Sequence, residues 1–577
     1  MRTALLAAAA VLVAGCSTPS PPHAGPAPAA APAARGTIDV PRIQRPDGET
    51  PAWWYRSGAA VAHANGAGLR PARKVILFVG DGMSLATVAA ARILEGQRNG
   101  GSGEENRLSF EQFPHTALSK TYNTDQQTPD SAGTMTAMMS GVKTRAGMIG
   151  VDQTSGRGAC AASLAAARLS VLQLAELAGL GTGVVTTTRM THATPAATFG
   201  HAPERNWEYD RAMPQEARET GCVDLAAQLV GMPFGDGIDV VMGGGRRAFL
   251  PLDARDPEYP EVAGARGDGR DLIADWQARH PGGAWMWNRA QFDATDFART
   301  PKVLGLFQPD HMRFEHDRPR DRAGEPSLAE MTRAAVTALE ARHPEGWFLM
   351  VEGGRIDHAH HGGNAFRALT DTIALSDAVR VAREMTGLDE TLILVTADHG
   401  HVMSFGGYPV RGNPILGKIV GRMSEDDPLP QPARDGLQRP YTTLNYANGP
   451  GYAGANDQQP DGAKRFVEDQ VVRDWRPASG PADLTGVDTE APDFMQPALF
   501  PLASETHSGD DVGLYASGPG AEAVRGVVEQ HVIYHFIVQS QPALREALCR
   551  LDTCDAQGVP VDLPAYPAAL LTGAAAR

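Results

Sequence analysis

The chain has 577 residues, of which 42% are hydrophobic and 21% charged, a balance that fits a globular enzyme-sized body and excludes a disordered or collagen-like chain. Its formal net charge is -15 and no basic patch stands out, which argues against a nucleic-acid partner. An anionic substrate would therefore need positive charge supplied locally, as bound metal ions can do.

In chain order, Arg2 precedes an apolar stretch from Ala4 to Ala14 that is too short to span a bilayer. It ends in Val13-Ala14-Gly15-Cys16, which resembles a bacterial lipobox, so residues 1–16 are expected to be a lipoprotein signal with Cys16 as the lipidated residue. Residues 17–40 are rich in Pro and Ala and read as a tether. This implies an exported protein, lipid-anchored to a membrane and facing the periplasm or cell exterior. Four further cysteines, Cys160, Cys222, Cys549 and Cys554, allow three pairings in an oxidising compartment; we favour Cys160 with Cys222 and Cys549 with Cys554.

A helix is expected over residues 50–64, then a buried parallel strand, Val75 to Val79, closed by Gly80-Asp81-Gly82. Ligands in open α/β sheets bind beyond such strand ends, which singles out Asp81. Helices follow at Ser84–Glu95, at Met135–Met139 behind Thr128-Pro129-Asp130-Ser131, and at Leu164–Ala178. Ser131 falls at a helix N-terminus, where backbone N–H groups favour an anion. Further strands are expected at Gly183–Thr188, Ile238–Met242, Trp347–Val351 and Thr391–Thr396, with a long helix at Ala365–Met385. This alternation predicts an α/β fold: a doubly wound, mostly parallel central sheet with helices on both faces. The expected divisions are a catalytic domain over 41–408, an inserted crown-like subdomain over 409–502, the end of the catalytic domain over 503–556 and a tail over 557–577.

Metal-ligand types gather at separate strand ends. Asp357 and His361 are four apart and share a helical face; Asp398-His399-Gly400-His401 and Glu505-Thr506-His507 add more imidazoles. Mixed His and carboxylate ligation suits zinc, and all-oxygen ligation suits magnesium.

Taken with Val79-Gly80-Asp81-Gly82-Met83, Thr191-His192-Ala193-Thr194-Pro195 and Val351-Glu352-Gly353-Gly354-Arg355-Ile356-Asp357-His358, these motifs resemble, in order, those of the alkaline phosphatase family. His192, His358 and Asn448-Gly449-Pro450-Gly451-Tyr452 lean toward its animal-type branch, and the matching cysteines support the favoured pairing. The resemblance implies a metal-dependent phosphomonoesterase working through a phosphoserine on Ser131. It implies one zinc on Asp357, His361 and His507, a second on Asp81, Asp398 and His399, and a magnesium on Asp81, Thr194 and Glu352. Arg205 is the implied phosphate clamp, with Asp130, His192 and His358 supporting these groups from behind. A calcium-like site matches at Glu258, the Phe307 carbonyl and Glu325, but Gln308 replaces the family's neighbouring acid, which lowers calcium affinity. By analogy the protein is a homodimer acting on phosphate monoesters. The competing readings are a phosphodiesterase or sulfatase of the same superfamily and an inactive phosphate-binding lipoprotein. Ser131 and Arg205 favour monoesters, and no nucleophile or ligand is missing.

Overall fold

A computed structural model describes residues 36–42, 48–422 and 430–567. Cys16, the expected lipidation site, lies outside them, as do most of the expected tether and the last ten residues. Contacts divide the chain into residues 1–38 and one compact unit, residues 39–577. No helix among the described residues is long and apolar enough to cross a membrane.

The compact unit is built on a ten-stranded sheet in the order Gly526–Glu529, His115–Lys120, Val512–Ser517, Thr391–Ala397, Lys74–Gly80, Trp347–Gly353, Gly181–Arg189, Val240–Gly244, Val303–Leu306 and Ala284–Met286. Only Val512–Ser517 runs antiparallel to its neighbours. Every residue of the central strand Lys74–Gly80 is buried. Alternate side chains serve the two faces: Val75, Leu77 and Val79 join one core, Ile76 and Phe78 the other. The first core packs against helices Pro51–Asn65, Ser131–Ser140 and Val532–Ser540; the second packs against Leu328–Arg342 and Ala365–Met385. Both faces are thus covered, as a parallel sheet requires.

One expected element is divided. Instead of one helix over Leu164–Ala178, the chain forms Cys160–Ala166 and Val171–Leu177. Ala167 leaves the helical region (ψ 140°), and Ser170 opens the second helix with a capping box to Gln173. Disulfides join Cys160 to Cys222 and Cys549 to Cys554. Within the 409–502 region and its flanks lie a three-stranded sheet (Met403–Phe405, Leu444–Gly449, Ala498–Pro501) and a two-stranded one (Val420–Gly421, Gln431–Pro432).

Candidate metal centre and active site

Sheet register brings the acids together. Gly80 pairs with Gly353 on one side and Ala397 on the other, so Asp81, Glu352 and Asp398 emerge at one edge of three adjacent parallel strands. Asp81, Glu352 and Asp398 are fully buried. Burial pushes the Asp81 carboxyl well up, and Asp398, Asp357 and Glu352 add to the effect. Burial likewise pushes Glu352 up to about 7, although Thr186 and Thr188 donate to its Oε2. Neither oxygen of Asp81 accepts a hydrogen bond, nor does Glu352 Oε1, and the hydroxyl of Thr194 is also unpartnered. Buried polar atoms this close to one another and unpaired carry a large desolvation cost unless a cation lies among them.

The imidazoles tell the same story by their tautomers. His361 Nδ1 faces the Glu505 carbonyl, and His507 Nδ1 lies 2.8 Å from the Pro129 carbonyl. Each carbonyl can only accept, so both Nδ1 atoms carry the proton and both Nε2 atoms present lone pairs. Those two Nε2 atoms are 3.1 Å apart, at 3.4 Å and 3.3 Å from Asp357 Oδ1. Three acceptors aimed at one point are the donor set of a divalent ion. Asp357, His361, His401 and His507 form one candidate group, Asp81, Asp357 and His399 a second, and Asp81, His192 and Glu352 a third. His192, expected to support the ligands from behind, therefore stands within ligand distance of the third position.

Ser131 is the first residue of helix Ser131–Ser140, capped by Asp130, whose Oδ1 accepts from Gly133 N at 3.1 Å. Its Oγ is buried and lies 3.1 Å from His399 Nε2, which in turn lies 3.4 Å from Asp81 Oδ1 and 3.3 Å from Asp398 Oδ2. Arg205 points into this site: NH1 donates to Asp130 Oδ2 at 3.2 Å and NH2 to His192 Nε2 at 3.0 Å. His358 Nδ1 accepts from Arg355 NH1 at 3.0 Å, and its ring centre is 5.4 Å from that of His192.

His401 had no assigned role in the sequence, yet it is central. Its Nε2 lies 2.7 Å from Asp357 Oδ1, and its Nδ1 bonds Glu505. Burial opposes its protonation, but Glu505 and Asp357 outweigh burial and push His401 up to about 10. It orients Asp357 from behind. The strand Gly400–His401 pairs with His507–Ser508, His401 opposite His507, which locks the last imidazole into place.

At the calcium-like positions the two acids accept from different backbone N–H groups. Glu325 Oε1 accepts from Arg313 N at 2.9 Å while Oε2 has no partner, and Glu258 Oε1 accepts from Ala323 N at 3.0 Å. Phe307 and Gln308 are buried beside them, and Gln308 donates to Asp321 Oδ1 at 2.6 Å. Asp321, which sequence reasoning missed, has a fully buried side chain with Oδ2 unpartnered. Its charge raises the pKa of both Glu258 and Glu325, second to burial in the case of Glu325.

Residues 72–541 match the family model described as alkaline phosphatase. The chain belongs to the alkaline phosphatase family. It is 41% identical over 472 residues to the tissue-nonspecific isozyme of alkaline phosphatase from Rattus norvegicus, covering 81% of this chain and 83% of that one. Identity to the same isozyme from Homo sapiens is 40% over 472 residues, with the same coverage. Among solved structures, the alkaline phosphatase of Thermus thermophilus aligns with a TM-score of 0.55 at 22% identity, covering 85% of this chain and 98% of that chain. The enzyme from the Antarctic bacterium TAB5 aligns at 0.51 and 20% identity, covering 82% and 98%. These two share the fold. This alkaline phosphatase is accordingly a metal-dependent phosphoric monoester hydrolase, and the buried acids and imidazoles are its candidate metal centre.

Proposed function

We propose that the enzyme hydrolyses phosphate monoesters through a covalent phosphoserine on Ser131. The observation that carries this reading is the placement of Ser131 Oγ at 3.1 Å from His399 Nε2, beside two groups of converging acceptors. Asp357, His361 and His507 would hold one zinc ion and Asp81, Asp398 and His399 a second, while Asp81, Thr194 and Glu352, with His192 alongside, would hold magnesium. Bound there, the two zinc ions would supply Lewis-acid chemistry, lowering the pKa of the serine hydroxyl and of a water and neutralising developing oxyanion charge.

The chain's own residues do the rest. Helix Ser131–Ser140 aims its first N–H groups, and so its positive end, at the phosphoryl oxygens. Arg205, oriented by Asp130 and His192, turns its fork onto two of those oxygens. Ser131 releases its hydroxyl proton to solvent and its Oγ attacks phosphorus; as that bond forms, the ester P–O bond breaks and the ester oxygen departs on the far side, taking a proton from solvent. Water then attacks the phosphoserine, releases phosphate and restores the hydroxyl. His401 holds Asp357 in register throughout. A fourth ion, calcium, is supported at Glu258, the Phe307 carbonyl and Glu325, with Asp321 restoring the charge lost at Gln308.

Two assembly features belong to this reading. Phe405, Tyr408 and Phe500 are 45%, 78% and 60% exposed on and beside one small sheet, with Phe405 and Phe500 on the same face, apolar surface that supports a homodimer. The lipobox ending at Cys16 supports a lipid anchor, and with it an exported location.

Ser131→Ala decides the mechanism. Turnover should fall by several orders of magnitude, with residual catalysis from the surrounding electrostatics. Labelled phosphate quenched with wild-type enzyme at acidic pH should mark the peptide containing Ser131. Label on another residue, or near wild-type turnover in the variant, would refute the covalent route.

A further inference from the structure

A cleft of about 810 Å³ opens beside the centre, with His358 and His361 in its lining. One wall is the segment 466–472, in which Phe466 packs its ring 5.8 Å from that of Phe314, and Val467 and Val471 stand 57% and 58% exposed. The lining also includes Arg189, Arg313 and Arg355.

The direction of displacement connects this cleft to the reaction. An in-line attack places the departing oxygen opposite the nucleophile. Ser131 adjoins His399, whose ring stacks on His507 at 3.6 Å, and His507 Nε2 is 3.1 Å from His361. The far side from Ser131 is therefore the Asp357, His361 and His507 side, and His361 is where the cleft begins. The cleft's three arginines are already paired. Arg189 is paired to Glu208 at 2.7 Å, while Glu468 pairs with both Arg355 and Arg313. Those two pairs also tie the 466–472 wall to the catalytic body. What is left uncommitted on that wall is the exposed carboxylate of Asp469 and, on either side of it in sequence, the apolar surface of Val467 and Val471.

Resting on the phosphoserine reading above, we propose that this cleft seats the leaving group and selects phosphate monoesters of bulky apolar alcohols and phenols. As the Ser131 Oγ–P bond forms, the P–O bond to the leaving group breaks, and the released oxygen takes a proton from solvent while its apolar body sits against Val467 and Val471.

The test is the double variant Val467→Ser/Val471→Ser, changed only at exposed side chains, compared with wild type on 1-naphthyl phosphate and glycerol 1-phosphate. For the naphthyl ester kcat/KM should fall about tenfold, the scale of a lost apolar contact in a pocket. For glycerol phosphate it should be unchanged, as should kcat for either ester, since both pass through one phosphoserine. The Ki of 1-naphthylmethylphosphonate, which is bound but not hydrolysed, should rise in parallel, while that of inorganic phosphate should not. Equal responses to both esters, or none, would overturn the cleft assignment. Loss of the phosphoserine reading shows separately, as the absence of label on Ser131 in wild-type enzyme.

Discussion

Gly82→Ala tests how tightly the centre is wedged. Gly82 follows the central strand with φ +70°, a conformation that costs a side-chain-bearing residue about 1–3 kcal/mol. A Cβ there would lie 2.3 Å from His401 Cδ2 and 2.5 Å from its Nε2. His401 cannot swing away cheaply, because its two nitrogens are held by Asp357 and Glu505. Displacing it forfeits a buried, charge-assisted hydrogen bond worth roughly 1.5–3 kcal/mol. Gly82 N also donates to Asp398 Oδ1 at 3.0 Å, so a backbone shift instead would disturb a second candidate ligand. The sum is roughly 2.5–6 kcal/mol. Gly486→Ala supplies the control: its φ is +74° but nothing lies within 4 Å of the added Cβ, so only the backbone cost applies. Thermal midpoint, bound metal per chain and kcat should all fall in Gly82→Ala, whereas Gly486→Ala should lose a little midpoint and neither metal nor kcat. If both variants keep wild-type metal content and turnover, the wedge argument is wrong.

Burial pushes Glu176 from 4.5 up to about 8, against its bond from Thr182 and the charge of Lys302. The folded chain therefore holds this proton more tightly than the unfolded chain does, so stability falls as pH rises from about 4.5 to 8, by at most about 1.4 kcal/mol per pH unit. Glu176→Gln should flatten that fall, read as thermal midpoint against pH; parallel curves for the two proteins would discard the explanation. Cys16→Ala should move the enzyme from the membrane fraction to the soluble fraction at unchanged specific activity, and a variant still sedimenting with membranes would remove the lipid anchor.

The sheet and its acids were legible because strand-end chemistry is local. Val75 to Val79 is an unbroken apolar run, and the glycines after it mark where Asp81 must turn out. The long helix Ala365–Met385 likewise lies where it is expected, opened by Asn364, whose side chain accepts from Arg367 N. The break at Ala167–Leu169 was obscured by apolar residues that continue through it, although Ser170 and Gln173 already carried a capping-box spacing. His401 was visible in its motif but not in its role, which depends on Glu505, a residue brought close only by the pairing of two very short strands. Asp321 sits in a run of Arg and Asp that reads as solvated surface; only folding shows its carboxylate turned inward onto Gln308.

The wide spacing of the candidate ligands along the chain also fixes when activity can arise during biosynthesis. Asp81 leaves the ribosome long before His507, and at translation speeds of about 5–20 residues per second the interval is on the order of tens of seconds. Through that interval the acids on the first strands have no final imidazole, and Gly400–His401 has no partner strand. Any chain released before residue 507 would lack the piece that closes the centre. On the proposed ligand set, catalysis by this protein thus waits for chains that extend past His507, and not merely for the folding of the sheet.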